Sequence, residues 1–215
     1  MKILNLYAGI GGNRQLWPDT NEILSVENNQ EIVNIYKSYF PNDKIIVADA
    51  HQYLIDHYKE YDFIWSSVPC QTHSRARMLA SKGGRYDVMY PDLKIYEEVI
   101  FLQNFYEGKW VVENVTPYYE PLIKPSTDID RHLFWSNFPI LKKDFKTNDE
   151  KSIQTTVSND SRFGFNISGL KLEHRKDQII RNLVNPEIGL HILDCAKLAI
   201  DGKDVHQNFI DSIFK

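Results

Sequence analysis

Short apolar runs alternate with amphipathic stretches over the first two-thirds of the chain. Runs at 2–7, 22–27, 44–48, 61–67 and 109–113 have the length of strands buried on both faces. Between them, Ile32, Val33, Ile35, Tyr36 and Tyr39 recur at helical spacing within 30–39, as do Val99, Ile100, Leu102 and Phe105 within 96–105. This alternation predicts an α/β fold, a mostly parallel sheet covered by helices. The rhythm breaks at 139–180, where Lys142, Lys143 and Lys146 lead into a Thr/Asn/Ser-rich run, so a separate small lobe is expected there. Helical spacing resumes over 186–200. There Pro186 suits the first helical position, and Ile188, Leu190, His191, Leu193, Ala196, Leu198 and Ile200 are candidate buried residues.

Composition narrows the class. The 215 residues suit one domain with at most a small appendage. With 42% apolar and 25% charged residues, wholesale disorder and a collagenous chain are excluded. Lys and Arg total 25 against 29 Asp and Glu, a net charge of -4. That is the wrong sign for gripping nucleic acid with the whole surface, although a local basic patch is compatible with it. Cys70 and Cys195 are too few for a disulfide framework and lack the clustering of a zinc site, so no metal is expected and a reducing cytoplasm is the simpler compartment. Met1-Lys2 runs straight into a strand-like segment, so no signal peptide is expected. No apolar run approaches the roughly 18 residues of a membrane span.

Candidate chemistry gathers behind the strands. Ala8-Gly9-Ile10-Gly11-Gly12 follows the first strand and is expected to open a short helix, a context where backbone N–H groups approach a ligand. Glu27 closes the second strand, where a carboxylate can accept from ribose hydroxyls, and Asp49 closes the third, where it can receive an adenine amino group. The alternative is that both are solvated helix-start residues favoured by the dipole. Cys70 follows the fourth strand within Pro69-Cys70-Gln71-Thr72-His73-Ser74. A lone cysteine can be a small core hydrophobe, but these polar neighbours, with Arg75 and Arg77 beyond, are a poor core and an electropositive setting that favours thiolate. Glu113, after Trp110-Val111-Val112, either caps a turn or is a partly desolvated acid with a raised pKa that donates to a ring nitrogen.

Together, Tyr7-Ala8-Gly9-Ile10-Gly11-Gly12, Glu27-Asn28, Asp49-Ala50, Pro69-Cys70-Gln71 with Ser74, and Glu113-Asn114-Val115 resemble the C5-cytosine DNA methyltransferases in order and spacing. Asp130-Arg131-His132-Leu133-Phe134-Trp135 resembles the family's arginine motif, with Ile129 where a first arginine is usual. Asn182-Leu183-Val184-Asn185-Pro186 resembles its last motif, with Arg181 where glycine is usual. The resemblance implies a Rossmann-like, class I S-adenosylmethionine-dependent methyltransferase fold. It divides the chain into a catalytic and cofactor-binding domain at 1–138, a reduced target-recognition lobe at 139–180, and a C-terminal helix returning to the catalytic domain at 181–215.

It also implies S-adenosyl-L-methionine as cofactor, with S-adenosyl-L-homocysteine as product, held by Tyr7, Ala8, Gly9, Gly11, Gly12, Glu27, Asn28, Asp49, Ala50, Pro69, Asn182 and Val184. Cys70 is implied as nucleophile toward C6 of a flipped cytosine, Glu113 as the partner of N3 and Arg131 as the partner of the base oxygen, beside Gln71 and Asn114. Ser74, Arg75, Arg77 and Arg85, in a basic stretch at 75–92 with a hinge at Gly83-Gly84, and Arg175 and Lys176 in the lobe, are the expected DNA contacts. The expected partner is duplex DNA, in a prokaryotic or phage-like cytoplasm and in a role protecting DNA from restriction. The short lobe implies relaxed target choice, or completion by a second protein chain. Two other readings stay open: a tRNA cytosine methyltransferase, and a binding module without chemistry.

Overall fold

Each central strand sends consecutive apolar side chains to opposite sides of the sheet, which builds a core on either face. The structure, a computed structural model, describes residues 1–145 and 161–204. Ile3 of β1 (Lys2–Leu6), Phe63 of β4 (Phe63–Ser67) and Val111 of β5 (Lys109–Val115) enter one core, and Leu4, Ile64 and Val112 enter the other. The first core is closed by α6 (Pro186–Ile200) through Ile188, Ile192, Leu193 and Ala196. The second is closed by α2 (Ala50–His57) through Leu54 and by α4 (Lys94–Phe105) through Ile95, Val99 and Leu102.

The seven-stranded sheet has the order β3-β2-β1-β4-β5-β7-β6, adding β2 (Glu22–Glu27), β3 (Lys44–Val47), β6 (Thr127–Ile129) and β7 (His132–Ser136). β1 to β5 are mutually parallel, whereas β7 runs antiparallel to both β5 and β6. This is the expected Rossmann-like α/β architecture. The order reverses direction between β1 and β4, so the strand ends there form the crevice where such sheets take ligands. Helix starts are encoded locally: the Asn29 side chain accepts from Glu31 N and Ile32 N at the head of α1 (Gln30–Tyr39), and Asn185 does the same for Glu187 N ahead of Pro186.

Several expectations are corrected. The glycine turn opens no helix: Arg14 N, Gln15 N and Trp17 N bond three residues back in successive turns. Within the basic stretch at 75–92 a helix not expected from the sequence, α3 (Arg75–Lys82), precedes Gly83; its residues are polar overall and none is fully buried, so no apolar run announces it. β6 and β7 form a hairpin where only a motif had been read. On α6 the buried stripe runs through Ile188, Ile192 and Cys195, with Leu190 and His191 at its margin and Ile200 exposed.

The described part of the expected lobe has a hairpin, β8 (Ser161–Arg162) and β9 (Phe165–Asn166), and the helix α5 (Lys176–Arg181). Phe165, Ile167, Ile179, Ile180 and Leu183 pack with Ile10 and Ile35, which seats this segment on α1 and the glycine turn. Lys146 lies outside the described residues.

Gly189 of α6 lies against the glycine turn so closely that a Cβ would collide with the carbonyl oxygen of Asn13. Gly189→Ala is therefore expected to destabilise the fold by about 1–3 kcal/mol through overpacking, seen as a lower urea midpoint at unchanged slope. An unchanged midpoint would mean that α6 does not lock the turn.

Candidate active site

The ends of β1 and β2 bring the glycine turn beside Glu27. Tyr7 and Gly9 both have positive φ, 54° each, which turns the chain sharply at the end of β1. A Cβ on Gly9 would meet nothing within 4 Å, so the turn borders open space. Gly11, at φ 92°, leaves no room for a side chain beside Phe40, and a Cβ on Gly12 would come within 2.8 Å of Val184 O. Residues 183–184 thus lie directly behind the turn, with Val184 buried and Asn182 exposed at the end of α5. Pro69 and Asn28 are exposed and Ala8 and Ala50 are buried.

Glu27 is 9% exposed and is held by the turn: Oε2 accepts Gly9 N–H at 3.1 Å and Oε1 accepts Asn29 N–H at 3.1 Å. Burial raises its pKa, and these backbone donors oppose the shift. Each carboxyl oxygen keeps a lone pair for a ligand hydroxyl. Asp49 is the N-cap of α2, where Oδ1 accepts Gln52 N–H at 2.9 Å, a bond that lowers its pKa. Its role at a helix start is therefore real, and the residue is exposed beyond the end of β3. An open glycine turn, a fixed carboxylate and a second acid one strand further out suit an adenosyl group.

Cys70, Glu113 and Arg131 converge on the neighbouring part of the sheet's carboxyl edge. Asn114 Nδ2 donates to Val68 O at 2.9 Å and its Oδ1 accepts Val115 N–H at 2.9 Å, which pins the exit of β4 to β5. Asn114 is 2% exposed, so it positions the cysteine loop rather than facing substrate. Glu113 is buried, and desolvation lifts its pKa to about 7, against the opposing effects of a Ser67 hydrogen bond and the Arg131 charge. Burial and then Glu113 push the Cys70 thiol up, and Arg131 pulls it down. The cation that favours thiolate is therefore Arg131, correcting the expectation for Arg75 and Arg77. Arg131 sits in the β6–β7 turn and donates from Nη2 to Arg181 O at 2.7 Å.

Arg75 Nε donates to Pro117 O, and Arg77 stacks over the Tyr86 ring at 4.3 Å. Both therefore brace the segment around α3. Arg175 pairs with Asp177 and reaches Tyr86 Oη, and Lys176 Nζ donates to Ser168 O. Gln71 and Arg85 are exposed, and Ser74 is the half-buried residue before α3.

Sequence reasoning missed Glu98. It is fully buried, accepts from Tyr7 Oη at 2.6 Å and Ser66 Oγ at 2.5 Å, and meets His51 Nδ1 at 3.1 Å. It anchors the strained Tyr7. The available signal was an acid within the apolar stripe Ile95, Val99, Leu102.

Glu113 makes stability pH-dependent. A carboxyl whose folded pKa exceeds its unfolded value supports the fold fully below about 4.5 and loses that support as pH rises through about 7. Glu113→Gln removes the titration, so relative to the native chain it is expected to gain up to about 3 kcal/mol between pH 5 and pH 8. Urea unfolding across that range checks this. A difference that does not vary with pH would show that Glu113 does not titrate there.

Among the described residues, no helix is long and apolar enough to cross a membrane, and no group of three or more His, Cys, Asp or Glu side chains could hold a metal. The chain is similar to the Spodoptera frugiperda DNMT2 E260A/E261A/K263A mutant, with 26% identity over 53% of this chain and 35% of that one, at a TM-score of 0.37. It is also similar to the Entamoeba histolytica methyltransferase EhMeth, with 15% identity over 54% of this chain and 38% of that one, at a TM-score of 0.35. A third similar structure is a SAM dependent methyltransferase from Archaeoglobus fulgidus, with 17% identity over 54% and 45% and a TM-score of 0.33. The chain thus spans about a third of the insect protein's length. No curated protein matches. The model of C-5 cytosine-specific DNA methylases matches residues 1–116, more than half of the chain and all of the strand ends from Gly9 to Glu113. By that match the chain belongs to the C-5 cytosine-specific DNA methylase family, whose methyl donor is S-adenosylmethionine.

Proposed function

We propose that this chain methylates C5 of cytosine in DNA through a covalent bond between Cys70 and C6. The observation that carries the reading is that Cys70, Glu113 and Arg131 come to one edge of the sheet: Ser67 lies opposite Glu113, Asn114 Nδ2 holds Val68 O at 2.9 Å just ahead of Cys70, and Thr116 N–H donates to Arg131 O at 2.9 Å. C5 of cytosine is a poor nucleophile, and addition of Cys70 thiolate to C6 moves electron density onto it. Glu113, protonated near neutral pH, donates to N3 as charge develops there. A neutral Glu113 also removes the anion that opposes thiolate formation, so the two groups titrate as a coupled pair. Arg131 stabilises the thiolate and holds the base oxygen.

Glu27, Asp49 and the Gly9–Gly12 turn hold S-adenosylmethionine, which supplies the electrophilic methyl group. Loss of the C5 proton and release of Cys70 then restore the aromatic ring. Because C5 and C6 are hidden in a duplex, the cytosine is flipped at a cost of a few kcal/mol. The basic residues around α3 and 171–181 contact the backbone, so binding weakens steeply with salt.

With purified protein, cofactor and 5-fluorocytosine duplex, a gel-stable protein–DNA adduct is expected, absent in Cys70→Ser. Glu113→Gln is expected to slow methyl transfer by about 10²–10⁴-fold. An absent adduct on both DNA and tRNA would leave a binding module, and labelled methyl transfer to tRNA alone would move the substrate to RNA. The short lobe leads us to expect a target of a few base pairs, or one completed by a second chain. Bisulfite sequencing of DNA treated with this protein alone checks that, and a strict six-base motif would refute it.

A further inference from the structure

His132, directly after Arg131, is 5% exposed on β7 among Leu133, Phe134 and Trp135. β5 and β7 pair with Val115 opposite His132 and Glu113 opposite Phe134, so Glu113 and His132 are diagonal neighbours on one face of the sheet. His132 Nε2 stands 3.6 Å from Glu113 Oε1, just beyond a formed hydrogen bond. The other ring nitrogen, Nδ1, is buried with no hydrogen-bond partner.

The groups acting on this pair come from each neighbouring element: Ser67 from β4, Cys70 from its exit loop, Arg131 from the β6–β7 turn and Arg162 from β8. Burial and the charges of Arg131 and Arg162 drive the imidazole pKa down to about 3, so the ring is neutral and carries one N–H. Nδ1 is buried without a partner in either tautomer, so the choice is made at Nε2: an N–H there faces the carboxyl, whereas a bare Nε2 would set its lone pair against the carboxylate oxygen. Ser67 is arranged similarly: its Oγ accepts Trp65 Nε1–H at 2.8 Å, which turns its own O–H toward Glu113.

We propose that His132 is the positioning residue of Glu113: its Nε2–H is aimed at Oε1, closes to a hydrogen bond when the carboxyl gives up its proton, and leaves Oε2 as the oxygen that carries the acid proton. Delivery of that proton to the base rests on the reading of Glu113 as the acid. The ring tautomer and the aim of its N–H do not.

Imidazole ¹⁵N shifts of the full chain are expected to show Nε2 protonated and Nδ1 bare between pH 6 and 8, and the reverse tautomer would overturn the proposal. The Glu113 carboxyl ¹³C titration, assigned by its loss in Glu113→Gln, is expected to show a roughly tenfold weaker acid in His132→Phe. His132→Leu is the second apolar variant should the first not fold. His132→Gln, which keeps an N–H donor, is expected to restore the native midpoint, a result that packing alone would not produce. An unchanged midpoint in the folded apolar variant overturns the proposal. Expected NMR results in a chain without methyl-transfer activity would overturn the functional reading and leave the positioning role standing.

Discussion

The cross-strand pair Asn5–Ser25 sets the register on which the rest of the structure depends. A strand buried on both faces is apolar at nearly every position, so hydrophobicity alone penalises a one-residue slip only weakly. Asn5 lies opposite Ser25 in the β1–β2 ladder and donates to its Oγ at 3.3 Å. Ser25 donates to Tyr36 Oη at 2.8 Å, Tyr36 donates to Asp43 at 2.7 Å, and Asp43 pairs with the buried Arg14. Asn13 Nδ2 closes the network on Asn5 Oδ1 at 2.8 Å. A slip would leave this chain of buried polar groups unpaired, at more than 1 kcal/mol for each lost partner. The same bonds hold the glycine turn to the sheet.

With register settled, the chemistry follows from where strands end. Glu27 stops beside Gly9, and Asn114 clamps the exit of β4 so that Cys70 stands near Glu113. The antiparallel hairpin then carries Arg131 and His132 to the same place from the far edge. Glu113 gains its raised pKa from this enclosure, and its protonation in turn removes an anion from the surroundings of the thiol. Acid and nucleophile are thus prepared by one arrangement.

The long apolar runs and the ordered residues at their ends were legible because burial on two faces leaves a continuous hydrophobic signature. α3 was not, since it is largely polar and has no fully buried residue, and the β6–β7 hairpin was obscured by short strands around a polar turn with Asp130 at φ 55°. Glu98, Asn5 and Ser25 read as ordinary polar residues within apolar elements. Their meaning lies in partners as far as 91 residues away, as in the bond from Tyr7 to Glu98. Arg75 and Arg77 illustrate the opposite error, because proximity in sequence to Cys70 suggested an electrostatic role that their contacts with Pro117 and Tyr86 do not provide.

The sequence by itself determined the α/β class, the parallel strands and the identity of the residues at their carboxyl ends, because periodicity and local capping are properties of neighbours along the chain. Only the tertiary structure decided which cation acts on Cys70, that Asn114 is a clamp, that Tyr7 is anchored by Glu98, and that His132 stands beside Glu113. Charge and hydrogen bonding act through space over a few ångströms, and the groups that meet here come from strands and turns far apart in the chain.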